Sequence, residues 1–359
     1  MQKFGRAPAC CYLSVRLAVY PADNLLALNS FSERIGALSM ELIDIGNTPL
    51  LEVASLSLNG NRLFSKCEFL NPSGSHKDRT YFNIISRLEG LGVISPGMTL
   101  IDCSTGNGGA ALAWIGRLKG YTIKIFMPEG MTDERKAQIH SFGAEIIETP
   151  SDGFLSASVC AAKRYQEEQG RGNSYFLDQS SNLLNKEAWI ECGEEIVRAL
   201  DEADVVPDFF VCSIGTGGTF SGIAEVLKRR YKTITTVGIE VSSSAPLFAE
   251  RNNIPFEHRP HNLMGLGGGV LSANTALELV DEIRVVEGDE SWARMKQFIQ
   301  DEKIPIGPTC GANLIVCDEV SRVFSNKNIV TLFFDSSWKY ASRWDGIYPE
   351  YSEVRKDVT

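Results

Sequence analysis

From Arg62 to Phe334 the chain alternates short, uninterrupted apolar runs with longer amphipathic stretches, and this constrains the fold more than any other feature. Thr99–Cys103, Thr122–Met127, Phe209–Ile214, Thr235–Val241 and Ile329–Phe334 are dominated by Val, Ile, Phe and Leu. A strand with no polar alternation must be covered on both faces, the condition of a parallel strand flanked by helices. Leu50–Val53 and Arg62–Leu70, on either side of the turn Asn59-Gly60-Asn61, read as further strands, as do Glu145–Glu148, Ser174–Leu177 and Ile283–Val286. Thr80–Leu91, Gly108–Leu118, Thr132–Phe142, Gly153–Glu168, Asn185–Ala203, Gly218–Tyr231, Glu290–Asp301 and Gly311–Phe324 space their apolar residues as helices do. The pattern predicts an α/β protein with enough strands for two open, mostly parallel sheets. Ligands of such sheets bind at the C-terminal ends of the strands.

Composition narrows the function. Hydrophobic residues make up 43% of the 359 residues and charged residues 22%, an ordinary globular balance. The net charge of −10 disfavours nucleic acid and anionic membrane as partners. No apolar run reaches the ~18 residues of a membrane span. The nine cysteines are odd in number, scattered and without a CxxC pair, which predicts free thiols in a reducing cytoplasm. Four histidines make a histidine-rich metal site an unpromising expectation, and no metal is expected.

Three loops, each just after a strand, carry the chemistry. In Asn71-Pro72-Ser73-Gly74-Ser75-His76-Lys77-Asp78-Arg79 a turn presents one lysine at the start of a helix. A cation is poorly placed at that end of a helix dipole. Lys77 is therefore either a solvated surface residue or an amine nucleophile that holds an aldehyde cofactor as a Schiff base. Ser104-Thr105-Gly106-Asn107 opens a helix with small hydroxyl residues, which suits an anion or a plain N-cap turn. Gly215-Thr216-Gly217-Gly218-Thr219 lets backbone approach a phosphate, with a helix start behind it. It lacks the Lys-Ser/Thr of a Walker loop, and a tight structural turn is the alternative.

Together, in this order, these loops resemble those of the fold-type II pyridoxal-phosphate enzymes, specifically the cysteine synthase and cystathionine β-synthase group. The resemblance runs from about Asp44 to Ser342 and includes Asp44-Ile45-Gly46-Asn47-Thr48-Pro49-Leu50 and Gly265-Leu266-Gly267-Gly268-Gly269. It implies pyridoxal 5'-phosphate held by Lys77, its phosphate in Gly215, Thr216, Gly217, Gly218 and Thr219, and its phenolic oxygen on Asn107. It implies a substrate carboxylate on Ser104, Thr105, Gly106, Asn107 and Gln179. Asp335-Ser336-Ser337-Trp338-Lys339-Tyr340 resembles the family's Asp-Ser-Gly-Glu-Arg-Tyr, with Ser336 on the pyridine nitrogen. Gly307-Pro308-Thr309-Cys310-Gly311 resembles its Gly-Ile-Ser-Ser-Gly, with Cys310 read as a packing residue.

The implied activity is β-replacement on an O-activated L-serine through an aminoacrylate, with Lys77 as general base and sulfide as nucleophile. His76 before the lysine is shared with tryptophan synthase β chains, and Asn-Pro-x-Gly-Ser with threonine synthases. Threonine synthase-like, cystathionine-forming and specialised β-substituted alanine synthase activities therefore stay open. So does a weakly active homologue that binds a partner. Gly108 stands where cysteine synthases usually have threonine, which predicts extra room filled by a bulkier substrate, by Trp338 or by His76. The expected organisation is an extension over 1–39, which is either a targeting peptide or lies outside the fold. A smaller mobile domain spans 71–182, a larger phosphate-binding domain spans 40–70 and 183–345, and 346–359 forms a tail. The expected assembly is a homodimer, with serine acetyltransferase as a possible protein partner.

Overall fold

A computed structural model describes residues 19–21, 40–53 and 58–351. In chain order the strands are β1 (Val19–Pro21), β2 (Leu50–Glu52), β3 (Arg62–Cys67), β4 (Thr99–Cys103), β5 (Thr122–Pro128), β6 (Glu145–Thr149), β7 (Ser174–Phe176), β8 (Phe209–Ser213), β9 (Thr235–Val241), β10 (Glu282–Val286) and β11 (Asn328–Phe333). The helices are α1 (Lys77–Gly90), α2 (Asn107–Leu118), α3 (Asp133–Ser141), α4 (Phe154–Gln169), α5 (Leu184–Glu187), α6 (Ile190–Glu202), α7 (Gly218–Arg230), α8 (Pro246–Arg251), α9 (Gly288–Glu302) and α10 (Pro308–Val323).

Seven strands form one sheet in the order β1-β2-β3-β11-β8-β9-β10, and four form another in the order β6-β5-β4-β7. Every pairing is parallel except β2 with β3, whose short connection permits only an antiparallel ladder. Helices cover both faces, as the apolar runs predict. The smaller sheet is built from Thr99 to Thr149 and Ser174 to Phe176, between two sets of strands of the larger. Two readings change in detail. Asn185–Ala203 is two helices broken at Ala188-Trp189, where Trp189 is fully buried. Arg62–Leu70 ends as a strand at Cys67 and turns into a 3-10 helix over Glu68–Leu70.

The terminal expectations also meet the structure. Residues 1–39 were expected outside the fold, yet Val19–Pro21 adds an edge strand to β2; the remainder of that segment lies outside the described residues. Three paired residues make a modest contribution, so a chain beginning at Met40 is expected to fold with a small loss of stability. A thermal melt checks this, and an aggregated or non-cooperative product contradicts it. In the expected tail, residues 346–351 pack onto the fold: Tyr351 is buried and its hydroxyl donates to the Glu129 carbonyl at 2.6 Å.

An internal ion network fixes α1 to the larger sheet. Arg79 donates to Glu68 (2.8 and 3.0 Å) and to Glu195 on α6 (2.8 and 2.7 Å). Lys66 on β3 pairs with Glu195 at 2.5 Å. Thr48 and Asn71 donate to the remaining Glu68 positions, at 2.6 and 2.8 Å. A buried charge needs such complete partnering. Burial alone would raise the Glu195 carboxyl, but Arg79 and Lys66 outweigh it and hold the group at about 2.

Candidate active site

The C-terminal ends of β3, β4, β8 and β11 meet at a cleft of about 370 Å³ between the two sheets. Lys77 reaches it from the first turn of α1. The loop before Lys77 is stitched down on all sides. Gly74 N–H donates to Asn71 O (2.7 Å), and Gly46 N–H to the Asn71 side chain (2.9 Å). Ser73 N–H donates to Asp78 (2.7 Å), and His76 N–H to Phe334 O at the end of β11 (2.8 Å). Lys339, itself fully buried, donates to Ser73 O and to Gln138, both at 2.8 Å. Preorganisation of this kind holds a reactive amine without a rotamer search.

The Lys77 amine donates to Gln179 Oε1 (2.9 Å) and lies 3.5 Å from the Thr216 hydroxyl. It thus touches a residue carried after β7 and a residue of the glycine loop after β8. Among the described residues no carboxylate is bonded to it directly, and burial pushes the amine down to about 8, partly opposed by the charge of Asp102. The amine is therefore neutral in a useful fraction near neutral pH, as a nucleophile or base requires. His76 packs its ring near Trp189 and Phe334, and burial holds it well below its ordinary range.

Gly215, Thr216, Gly217 and Thr219 line the cleft, and Gly218 begins α7 behind them without lining it. Gly217 sits at φ +76°, and a Cβ there would run into Thr275. No side chain caps α7, so its first N–H groups are left for another acceptor, and Gly217 and Thr219 at that end line the cleft. In the other loop, Ser104, Thr105 and Asn107 line the cleft and Gly106 does not. The Ser104 hydroxyl accepts N–H bonds from Gly106 (3.0 Å) and Gly109 (2.9 Å). Thr105 donates across the cleft to Met264 O (2.6 Å). Asn107 donates to Asp335 at 2.6 Å, while its Oδ1 is buried and has no partner.

Ser336 requires a correction. It does not line the cleft; its backbone pairs with Ile306 and it stands just before the 3-10 helix Ser337–Arg343, without a side-chain capping bond. At that end the lining residues are Thr309 and Asp335. β11 ends at Phe333, three residues before Ser336, and Thr309 at the start of α10 lines the cleft there. Asp335 also accepts from Tyr340 at 2.6 Å and has Arg135 at 3.9 Å; its Oδ1 has no partner. Cys310 is fully buried, takes the Phe334 N–H at 3.2 Å and is pushed up to about 12 by burial, which makes it a packing residue.

Gly108 is corrected too. A Cβ there would lie 3.0 Å from Gln179 Nε2, 3.0 Å from Tyr81 hydroxyl and 3.1 Å from Ser104 hydroxyl. The space is filled by Tyr81 and Gln179, neither of them a group the sequence suggested. Trp338 is 45% exposed and lies beside Gly74 instead. Gly108→Ala is expected to push Gln179 off the Cys103 carbonyl, its partner at 3.0 Å, and to raise an amino acid substrate's KM about tenfold, the worth of one hydrogen bond. An unchanged KM would show that these neighbours yield freely.

Arg135, Asp102, Tyr81 and Thr309 are site residues that motif reading passed over. Asp102 alone had a usable signal, a carboxylate inside an otherwise apolar strand run.

A family profile described as pyridoxal-phosphate dependent enzyme matches residues 42–335. The chain is 32% identical over 302 residues to a cysteine synthase of Staphylococcus aureus, across 83% of this chain and 94% of that one. It is 29% identical over 316 residues to cystathionine beta-synthase of Apis mellifera, across 86% of this chain and 61% of the relative. Among solved structures, a hydrogen sulfide-producing enzyme from Fusobacterium nucleatum superposes with a TM-score of 0.77 at 32% identity, covering 84% of this chain and all of that one. O-ureido-L-serine synthase superposes at 0.79 and 24% identity, covering 88% of this chain and 96% of that one, which supports the fold.

Proposed function

Because the chain belongs to the pyridoxal-phosphate dependent enzymes, we propose that it catalyses β-replacement on an O-activated L-serine, as a cysteine synthase does, with sulfide as the nucleophile. The observation that carries the reading is the Lys77 amine, depressed to about 8 and placed between the glycine loop and Gln179. The residues fit the cofactor. The uncapped start of α7 with Gly215–Thr219 suits a phosphate, and Asn107 has an unpartnered buried oxygen in the same cleft. Lys77, Asn107, Gly215, Thr216, Gly217, Gly218 and Thr219 would hold it, with Thr309 rather than Ser336 at the end near Asp335. Bound pyridoxal phosphate supplies the electron sink that makes the substrate's α-proton removable.

The protein's own groups do the rest. Ser104–Asn107 at the start of α2, with Gln179, orient the substrate carboxylate. Lys77 Nζ takes the α-proton and returns it once the nucleophile has added to the β-carbon. We take residues 71–182 as the mobile part: Thr105 to Met264 and Asn107 to Asp335 are two of the bonds that opening would break, while the Arg79 network holds the start of α1 to the larger sheet. The seven described cysteines, all unpaired, support a cytoplasmic enzyme, which we take to be a homodimer. A docked serine acetyltransferase belongs to the same reading. A cystathionine-forming activity is the second reading, favoured by the Apis mellifera relative.

A product screen tests the choice. O-acetylserine, O-phosphoserine and serine are each offered with sulfide and with homocysteine. Cysteine from an O-activated serine is the expected result. Cystathionine as the dominant product would replace it with the second reading, and no product from any pair would contradict both.

A further inference from the structure

Asp102 is the penultimate residue of β4, has 1% of its surface exposed, and lines the same cleft as Lys77. Its carboxyl oxygens receive three donors. The Tyr81 hydroxyl donates to Oδ2 at 2.9 Å, Cys103 N–H to Oδ1 at 2.7 Å and Gln179 N–H to Oδ2 at 3.3 Å. Two of the three, the Cys103 and Gln179 N–H groups, can only donate, and the Tyr81 hydroxyl joins them when the carboxyl is ionised, so the site favours the carboxylate against its burial.

Gln179 is tied to the same place at three points. Its N–H bonds Asp102, its Nε2 donates to Cys103 O and its Oε1 accepts from Lys77 Nζ. Tyr81 reaches Asp102 from α1, one turn after Lys77, so the two sides of the cleft are pinned together beneath the reactive amine.

We infer that Asp102 is a positioning residue: gripped by Tyr81, its carboxylate fixes Gln179 against the Lys77 amine and supplies the negative charge that this amine senses. The inference rests on Lys77 being the cofactor lysine, as proposed above. A carboxylate serving only as a turn cap would need neither the Tyr81 bond nor a place in the cleft lining.

The charges around this centre are few. Asp102 from β4 raises the Lys77 amine against the burial that lowers it. Asp102 itself is pushed up to about 7 by burial and by Asp178, while Tyr81 and the two N–H groups lower it. His76 precedes Lys77, and Arg135, Asp335 and Lys163 line other parts of the cleft. Asp102 therefore ionises just below the range in which Lys77 deprotonates. Removing its charge must move the Lys77 midpoint downward.

The test follows Lys77 in the full-length chain stripped of cofactor. Its rate of modification by an amine-reactive arylating reagent is measured against pH, site by site, by peptide mass spectrometry. The wild-type midpoint is expected at about 8. Asp102→Asn should lower it by on the order of one pH unit, and Asp102→Glu, which keeps the charge, should bring it back towards the wild type. Tyr81→Phe removes one donor, raises the carboxyl towards Lys77 and should lower the midpoint in the same direction by less. This variant keeps the buried ring and serves if Asp102→Asn does not fold. In the holoenzyme, the pH profile of kcat/KM should move with the same sign.

An unmoved midpoint in both Asp102→Asn and Tyr81→Phe overturns the inference. So does Asp102→Glu behaving as Asp102→Asn, because charge would then not be the cause. If the cofactor maps to another lysine in the wild type, the functional reading fails and this inference with it. A cofactor on Lys77 with an unmoved midpoint defeats this inference alone.

Discussion

Lys77→Ala is expected to lower kcat by at least about 10³-fold while leaving the fold intact. Lys77 is the amine that contacts both Gln179 and Thr216, and its backbone, not its side chain, carries the start of α1. The loop before it is held by Asn71, Ser73, Asp78 and Lys339, none of which uses the Lys77 amine. Loss of turnover without loss of melting temperature would therefore isolate chemistry from structure. A small exogenous amine should restore part of the rate, since the missing group is a proton acceptor of the right size. Steady-state kinetics and a thermal melt on one preparation check this. Activity within tenfold of the wild type would contradict it.

Arg79→Ala is expected to cost about 3–5 kcal/mol, the largest stability loss of any single change to this site's supports. The guanidinium is buried and makes four bonds, two to Glu68 and two to Glu195. Its removal leaves two carboxylates in the interior, with Lys66 reaching Glu195 and only neutral donors on Glu68. Arg79 stands two residues after Lys77, so activity should fall as well. Urea denaturation measures the loss, and a cost under about 1 kcal/mol would show that the surroundings relax around the hole. The network also sets an acid limit. Glu195 is held at about 2, below the ~4.5 of a free glutamate. Its stabilisation is complete above about 4.5 and drains away as pH falls towards 2. In Arg79→Ala that acid limit should move upward.

The alternation of Val/Ile/Phe runs with helices was enough to predict two mostly parallel sheets, because strands such as β4 and β8 betray burial on both faces by composition alone. The loops carrying Lys77, Ser104–Asn107 and Gly215–Thr219 were legible for a related reason. Glycine, proline and hydroxyl residues after a strand report local backbone geometry, which sequence neighbours determine. What stayed hidden depends on residues far apart in the chain. Tyr81 and Gln179 fill the space beside Gly108 from 27 and 71 positions away, and no local pattern encodes that meeting. Ser336 lies three residues past the end of β11, beyond the reach of strand periodicity, and the path of the chain after Phe333 decides where it sits. Arg135 reached the site from α3, with its guanidinium 4.2 Å from the Tyr340 ring centre and 3.9 Å from Asp335.

Borohydride reduction of the holoenzyme, followed by peptide mass spectrometry, tests the identity of the reactive lysine most directly. Reduction fixes the cofactor to whichever amine carries it. The label is expected on Lys77, in the peptide that runs through Ser75, His76 and Asp78. Lys339 is the sharpest rival, since it too is fully buried and pushed down to about 8 by burial, although Ser73 O and Gln138 already occupy its amine. A pyridoxyl group on Lys77 alone is the predicted result; a label on Lys339 or any other lysine would contradict the account.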